Sequence, residues 1–462
     1  MSYWKKFKKK YMGDRAFYRH YLLLAVPMIL QNAITNLVSF LDNIMVGQLG
    51  TEQMSGVAIV NQLIFVYNLA IFGAVSAASI FGAQYFGNGD HRGHMHSFRF
   101  KLYATLLVSG LTMLLLLTKG SNLISLYLTD TAGNGATDVA LQYGKQYLVI
   151  MLVGLVPFAV NQAYATNIKE TGQTLVPMLA SFVAVGTNAV LDYLLIFGVG
   201  PFPELGVTGA ALATVIARYV EAVIVVFWAH RNREKNRYLE GAYRGFGIPV
   251  SELKTVLIKG LPLMFNEVLW AAGMTTVTQC YSVRGLDVVA GLNIATTITN
   301  LFNIVYIQLG ACIVVGQYLG AGELEKAKDA DNKMIVFSVF CCVIMAAIMF
   351  LVGGFFPDIY NTTAEIKDLA TKFIAVSALI MPFCSFSHAS YFTLRSGGKT
   401  MVTFLFDSVF TWVVVVPVAF LLAHGTGLGI VSVYFLVQAT ELIKVVIGYC
   451  MVRSNVWVVK MV

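Results

Sequence analysis

Apolar runs about 20 residues long recur twelve times along this chain, and each is the length that crosses a bilayer as a helix. They fall at approximately 19–46, 53–80, 99–118, 139–164, 174–197, 206–229, 253–282, 288–315, 334–353, 366–392, 400–422 and 427–450. Within hydrocarbon every backbone donor and acceptor must be satisfied inside the chain, so runs of this length specify helices. Only 12% of the 462 residues are charged, against about 25% in an ordinary soluble domain. The expected fold class is an all-α polytopic membrane protein. No small-residue cleavage site follows the first run, which reads as a retained helix. The six cysteines, Cys280, Cys312, Cys341, Cys342, Cys384 and Cys450, lie in apolar runs without paired spacing. They read as small buried hydrophobes, so neither a disulfide framework nor a zinc site is expected.

An even number of crossings puts both termini on one side, and Lys and Arg choose the side. The amino-terminal stretch "YWKKFKKKYMGDRAFYRH" carries Lys5, Lys6, Lys8, Lys9, Lys10, Arg15 and Arg19. The connection after the sixth run adds Arg231, Arg233, Lys235, Arg237, Arg244, Lys254 and Lys259. In all, 25 of the 32 basic residues fall on that side, and Lys119, Lys145, Arg284, Lys367 and Lys372 on the other. The positive-inside rule then places both termini in the cytoplasm of a cell that keeps this protein in its inner membrane. The net charge of +8 is a topology signal, and no nucleic-acid partner is expected.

The chain also repeats itself. Pro27, Gly50 and Gly56 are matched 235 residues later by Pro262, Gly285 and Gly291. "GAQYFGNGD" (82–90) is answered by "GQYLGAGE" (316–323), and "ETGQT" (170–174) by "SGGKT" (396–400). Two halves of six crossings each share one membrane orientation, related by a pseudo-twofold axis along the membrane normal, as in transporters built from parallel repeats. The division expected is an amino-terminal lobe at 1–229, a cytoplasmic linker at 230–252 and a carboxy-terminal lobe at 253–462.

These motifs carry a resemblance. "PMILQNAITNLVSFLDNIMVGQLG" in the first run, "GAQYFGNGD", "TNAVLDYLLIFG", "GVTGAALAT" and "GLPLMFNE" together resemble the multidrug and toxic compound extrusion (MATE) transporters over essentially the full length. The resemblance implies a V-shaped pair of six-helix lobes and cation-coupled efflux of organic, often cationic, compounds. The closest rival on the same fold is a flippase or exporter of a lipid-linked or other specific metabolite.

The cost of an ionisable group in mid-membrane, about 2.5–3.5 kcal/mol or more, independently narrows the coupling residues. The candidates are Asp42, Asp192, Arg218, Glu221, Glu267, Asp407, Glu441 and Lys444. Asp42 and Asp192 both reach the outer half of the bilayer at about 1.5 Å per residue. Asn188 is one turn before Asp192, and Thr214 reaches a similar depth. Two carboxylates, an amide and a hydroxyl make a set of hard oxygen ligands suited to Na⁺. The same pair suits a proton, since two carboxylates in one site titrate together. The alternative is a hydrogen-bond network that merely ties three helices. The resemblance places Asp42, Asn188, Asp192 and Thr214 where one prokaryotic branch has its amino-lobe site.

Glu267 is the possible acid of the second lobe, but the tenth run has Cys384 and His388 where other branches of that family have an aspartate. Glu267 is then a substrate counter-charge or a partner for a nearby hydroxyl or amide. Arg218 with Glu221, and Glu441 with Lys444, read as structural ion pairs three residues apart, while Asp407 faces an inner vestibule. Pro27 removes a backbone donor and bends the first helix. Candidates for the substrate cavity are Thr35, Asn36, Asn61, Asn68, Tyr147, Asn161 and Tyr164, with Met28, Met151 and Met178 able to repack around varied ligands.

"LRSGGKT" (394–400) lacks the first glycine of a phosphate-binding loop and follows a helix, so no ATP site is expected. "HRGHMH" (91–96) reads as a solvated or lipid-facing turn. Neither a convergent nucleophile–base set nor a metal cluster is present to make an enzyme. The expected protein is a monomeric, cofactor-free secondary transporter of small organic substrates, living in a lipid bilayer and coupled to Na⁺ or H⁺. No metal is expected beyond that Na⁺.

Overall fold

The computed structural model describes residues 10–125, 136–245, 247–310, 313–360 and 362–462. Lys5, Lys6, Lys8, Lys9 and Cys312 lie outside the described residues. The chain is nearly all helix: α1 (Arg15–Gly47), α2 (Thr51–Asn88), α3 (His91–Ser125), α4 (Ala136–Val153), α5 (Leu155–Glu170), α6 (Leu175–Phe197) and α7 (Val207–Arg231) come first. After the linker follow α8 (Val250–Ser282), α9 (Leu286–Gly310), α10 (Ile313–Gly320), α11 (Leu324–Gly353) and α12 (Ala364–Ser396). The last two crossings are α13 (Thr400–Phe404) running through two π turns into α14 (Val416–Gly425), and α15 (Ile430–Ala439) with α16 (Glu441–Arg453). Among the described residues ten helices are long and apolar enough to span a membrane, or eleven when α4 and α5, bent by 44°, count as one. With α1, twelve helical segments follow one another in chain order.

Two compact units result. The amino-terminal unit comprises Val26–Gly82 and His91–Val256; the carboxy-terminal unit comprises the segment up to Ala25, Ala83–Asp90 and Leu257–Val462. This grouping departs from a clean halving at the linker, and close packing explains it. A Cβ on Gly87 would overlap the backbone of Gln317, and one on Gly320 the backbone of Gln84. Gln84 also donates to the Ser396 carbonyl at 3.0 Å and accepts from the Met461 amide at 2.8 Å.

The repeat is visible inside each unit. Gly56 packs against the backbone of Ala140 and Gly144, and its counterpart Gly291 packs against Leu369 and Ala370. Small residues at such crossings let helix backbones approach, which is how helices hold together where lipid removes most of the hydrophobic driving force. Gly209 similarly rests on the Leu195 carbonyl and joins α7 to α6. Between them sits a buried cluster of large side chains, including Val60, Tyr67, Ile71, Leu152 and Leu155. The Tyr67 hydroxyl donates to the Leu155 carbonyl and pairs with Ser109, both at 2.8 Å, so its polar tip is satisfied.

The linker is docked rather than loose. Arg99, 5% exposed, donates to the carbonyls of Ala242, Gly247, Gly241 and Arg244 at 2.8–3.0 Å. Tyr238 packs on Phe98 and His94, and burial lifts its phenol well above the ordinary range. The "HRGHMH" stretch corrects the solvated-turn expectation. It forms the first turns of α3, with His94 buried against Glu170 at 3.3 Å and His96 against Glu252 at 2.9 Å. Glu170 also holds the fully buried Lys101 at 2.5 Å, closing a charge cluster between residues 69 apart that no local spacing reveals.

Candidate cation and substrate site

α6 presents Ser181, Asn188 and Asp192 along one buried face, since the spacings of seven and four residues are whole helical turns. α1 brings Asp42 opposite, so that the Asp42 and Asp192 carboxyls adjoin and Asn188 lies beside Asp192. Asp192 is 1% exposed. Tyr147, from α4, donates to Asn61 of α2 at 3.3 Å and lies within hydrogen-bonding reach of Thr214. Thr214 Oγ1 itself donates to the Ala210 carbonyl at 3.0 Å. Five helices of one unit therefore meet around two carboxylates.

The pocket is polar and unfinished. Both oxygens of Asp192, Oδ1 of Asp42 and Nδ2 of Asn188 are buried without a well-aligned hydrogen-bond partner among the described residues. Leaving an ionised carboxylate so buried is expensive unless a cation or a proton completes it. Carboxylate, amide and hydroxyl oxygens from three helices are the donors a hard monovalent cation takes, and the residues present fit Na⁺ as well as H⁺.

A second polar layer lies below. Ser181 donates to Glu221 of α7 and accepts from Gln31 of α1 at 2.7 Å. Asn161 also reaches Glu221, while its Oδ1 stays unpartnered among the described residues. The separation of 11 residues along α6 puts this layer about 16 Å from Asp192. The expected Arg218–Glu221 ion pair does not form within 4 Å among the described residues. Arg218 instead donates to the Gly154 carbonyl at 3.3 Å and lies over the Phe158 ring at 5.1 Å. The Gly154 carbonyl lies at the bend between α4 and α5 and accepts from the Phe158 amide as well, at 3.4 Å; the sequence marks the place only by an isolated glycine in a helical run.

The remaining candidates scatter. Asn68 sits on α2 with its Oδ1 buried and unpartnered among the described residues. Thr35 is exposed and donates to the Gln31 carbonyl at 2.9 Å; Asn36 is exposed. Tyr164 lies apart, edge-on to Phe98 and hydrogen-bonded to Tyr243 of the linker. Pro27 is buried inside α1, and Asn32 donates to the Met28 carbonyl just after it at 2.9 Å. Met28, Met151 and Met178 are buried.

In the carboxy-terminal unit Glu267 is half-buried and faces Arg395 and Asp407. Its neighbour Asn266 makes the direct contact, donating to Asp407 at 3.1 Å. Asp407 also takes Lys444 at 3.0 Å, while Glu441 stands 3.9 Å from the same ammonium. The Asp407–Lys444 pair, 37 residues apart on different crossings, had no signature in the sequence.

The MatE family model matches residues 27–194 and 262–421. A protein of Thermotoga maritima described as probable multidrug resistance protein NorM is 23% identical over 438 residues, 94% of this chain and 92% of its own length. A Bacillus subtilis protein described as uncharacterized transporter YisQ is 20% identical over 445 residues, 95% and 94% of the two chains. Among solved structures, one described as MATE in the bent conformation superposes with a TM-score of 0.84 at 20% identity, covering 96% of each chain. A transporter from Pyrococcus furiosus, described as having a binding pocket of reverse polarity that suggests a different function, superposes at 0.82 with 20% identity and 96% coverage of each. These likenesses establish the fold.

Proposed function

Since this chain belongs to the MatE family of multidrug transporters, we propose that it is an antiporter exporting organic cations or amphiphiles in exchange for Na⁺ or H⁺. The observation that carries the reading is the Asp42–Asp192 pair, in which both Asp192 oxygens and Oδ1 of Asp42 are buried without a well-aligned hydrogen-bond partner among the described residues. A cation entering the pair offsets the repulsion between its carboxylates and lowers the penalty for packing α1 tightly on α6. Its departure restores the charge and favours a looser arrangement. Substrate and cation thus bind to different states of the same helices, which is the requirement for exchange.

The energy suffices. One charge moving inward across about 100 mV gains about 2.3 kcal/mol, which sustains roughly a fifty-fold substrate gradient at about 1.4 kcal/mol per decade. Pro27 lies one to two turns from the Gln31–Ser181–Glu221 layer and supplies the bend α1 needs. Asn61, Asn68, Tyr147 and Asn161, with Met151 and Met178, provide polar and compliant wall for the substrate. Both termini are assigned to the cytoplasm and the protein to the inner membrane, as a monomer. The test is transport in reconstituted vesicles with the Na⁺ and H⁺ gradients imposed one at a time. Dye exchange driven by one of them is the expected result, and dye movement indifferent to both would end the antiport reading.

A further inference from the structure

A cavity of about 730 Å³ opens where the linker packs on the first turns of α3, and that volume is within the range of small-molecule sites. Its wall comes wholly from the amino-terminal unit. It holds four guanidinium groups, Arg92 and Arg99 of α3 with Arg237 and Arg244 of the linker, against one carboxylate, Glu240. The positive-inside rule asks only that basic residues lie on one side of the membrane, not that they converge on one hollow.

Arg99 makes the floor. It is 5% exposed, its donors are spent on four linker carbonyls, and it forms no ion pair within 4 Å among the described residues. Carbonyl dipoles offset part of a buried cation's charge but are no counter-ion, so the floor attracts an anion. At the rim, Arg237 Nη1 meets His91 Nε2 at 3.1 Å, while its Nε stands 3.8 Å from Glu240, beyond hydrogen-bond range. Such an exposed pair holds its partners weakly. Arg244 is exposed and makes no ion pair among the described residues. His96 is already taken by Glu252 at 2.9 Å. The loop wall is open backbone: Gly245 takes a φ of +88°, and a Cβ on Gly245 or Gly247 would meet nothing within 4 Å. α3 begins at His91, so its amide dipoles add positive potential at the same place. Guanidinium forks with a helix start behind them suit a phosphate group. Met95, Ile248 and Pro249 give the cavity an apolar side, which suits a phosphate carrying an organic body.

We propose that this cavity binds a phosphate ester, the headgroup of an anionic phospholipid or a soluble organic phosphate. Arg237 and Arg244 are its movable ligands, and Arg99 is the fixed charge behind them. The site uses none of the residues of the proposed cation exchange. The full chain is tested in two arms that separate the sources. Native mass spectrometry from micelles doped equally with phosphatidylglycerol and phosphatidylcholine reads the lipid. Calorimetric titration of glycerol 3-phosphate into protein in phosphatidylcholine nanodiscs reads the soluble ester. At least one arm shows binding, and Arg237→Gln with Arg244→Gln lowers it at least fivefold. Arg231→Gln with Arg233→Gln, which removes the same charge outside the cavity wall, stays within twofold of the parent. Gly247→Glu, which has room for its side chain and sets a carboxylate in the wall, repeats the loss with every arginine in place. Binding in neither arm, equal losses in the two arginine pairs, or binding within twofold of the parent in Gly247→Glu overturns the assignment, even if the Arg237–Arg244 variant fails to fold.

Discussion

Gly87 and Gln317 meet backbone to backbone, with no room for even a methyl group between them. Their counterparts in the repeat, Gly320 and Gln84, meet the same way, so the twice-written phrase is one contact made reciprocally. A backbone carbonyl cannot swing aside as a long side chain can, so a larger residue must displace a whole helix. Gly87→Ala and Gly320→Ala are each expected to cost about 1–3 kcal/mol. Thermal unfolding of purified protein in detergent checks this, with Gly110→Ala, where nothing lies within 4 Å, as the neutral comparison.

The Lys101–Glu170 pair is buried on both sides, with His94 and Asn167 completing it. Removing one partner strands the other charge. Glu170→Gln is expected to destabilise by about 3–5 kcal/mol, whereas Lys101→Met combined with Glu170→Leu loses less than the single change. Equal losses in the single and double variants would show that the pair is not the source of stability.

Arg99 closes the linker with a planar fork of donors on four carbonyls. A lysine cannot reproduce that geometry. Arg99→Lys is therefore expected to expose the basic bonds at Arg237 and Arg244 and raise tryptic cleavage of the linker severalfold. Unchanged cleavage would mean that the linker is held by Tyr238 and its aromatic neighbours instead.

How much of this was legible beforehand depends on distance along the chain. Helical runs, the repeat and the places of Asp42 and Asp192 along their helices follow from counting, because rise per residue and hydrophobic length are fixed. The pairing of Asp407 with Lys444 does not, since two π turns shift the register that a regular helix would give. Arg218 and Glu221 are neighbours in sequence pattern yet turn to Gly154 and Ser181, because the bend between α4 and α5 and a serine on α6 offer better partners. His94 and His96 looked solvated in a polar stretch; the docked linker and Glu170 bury them.

The layer of Gln31, Ser181 and Glu221 joins three helices beneath the carboxylate pair. If it transmits the state of that pair, Ser181→Ala lowers the rate of exchange about tenfold while substrate binding stays within twofold. Rate and affinity falling together would make the layer part of the substrate site.

The account rests on Asp42 and Asp192 sharing one exchangeable cation. Its most direct measurement is gradient-driven ethidium exchange in proteoliposomes containing Asp42→Asn or Asp192→Asn protein at matched density. Exchange at the level of empty vesicles in both is the predicted result. Exchange at half the parental rate or more in either variant would contradict it.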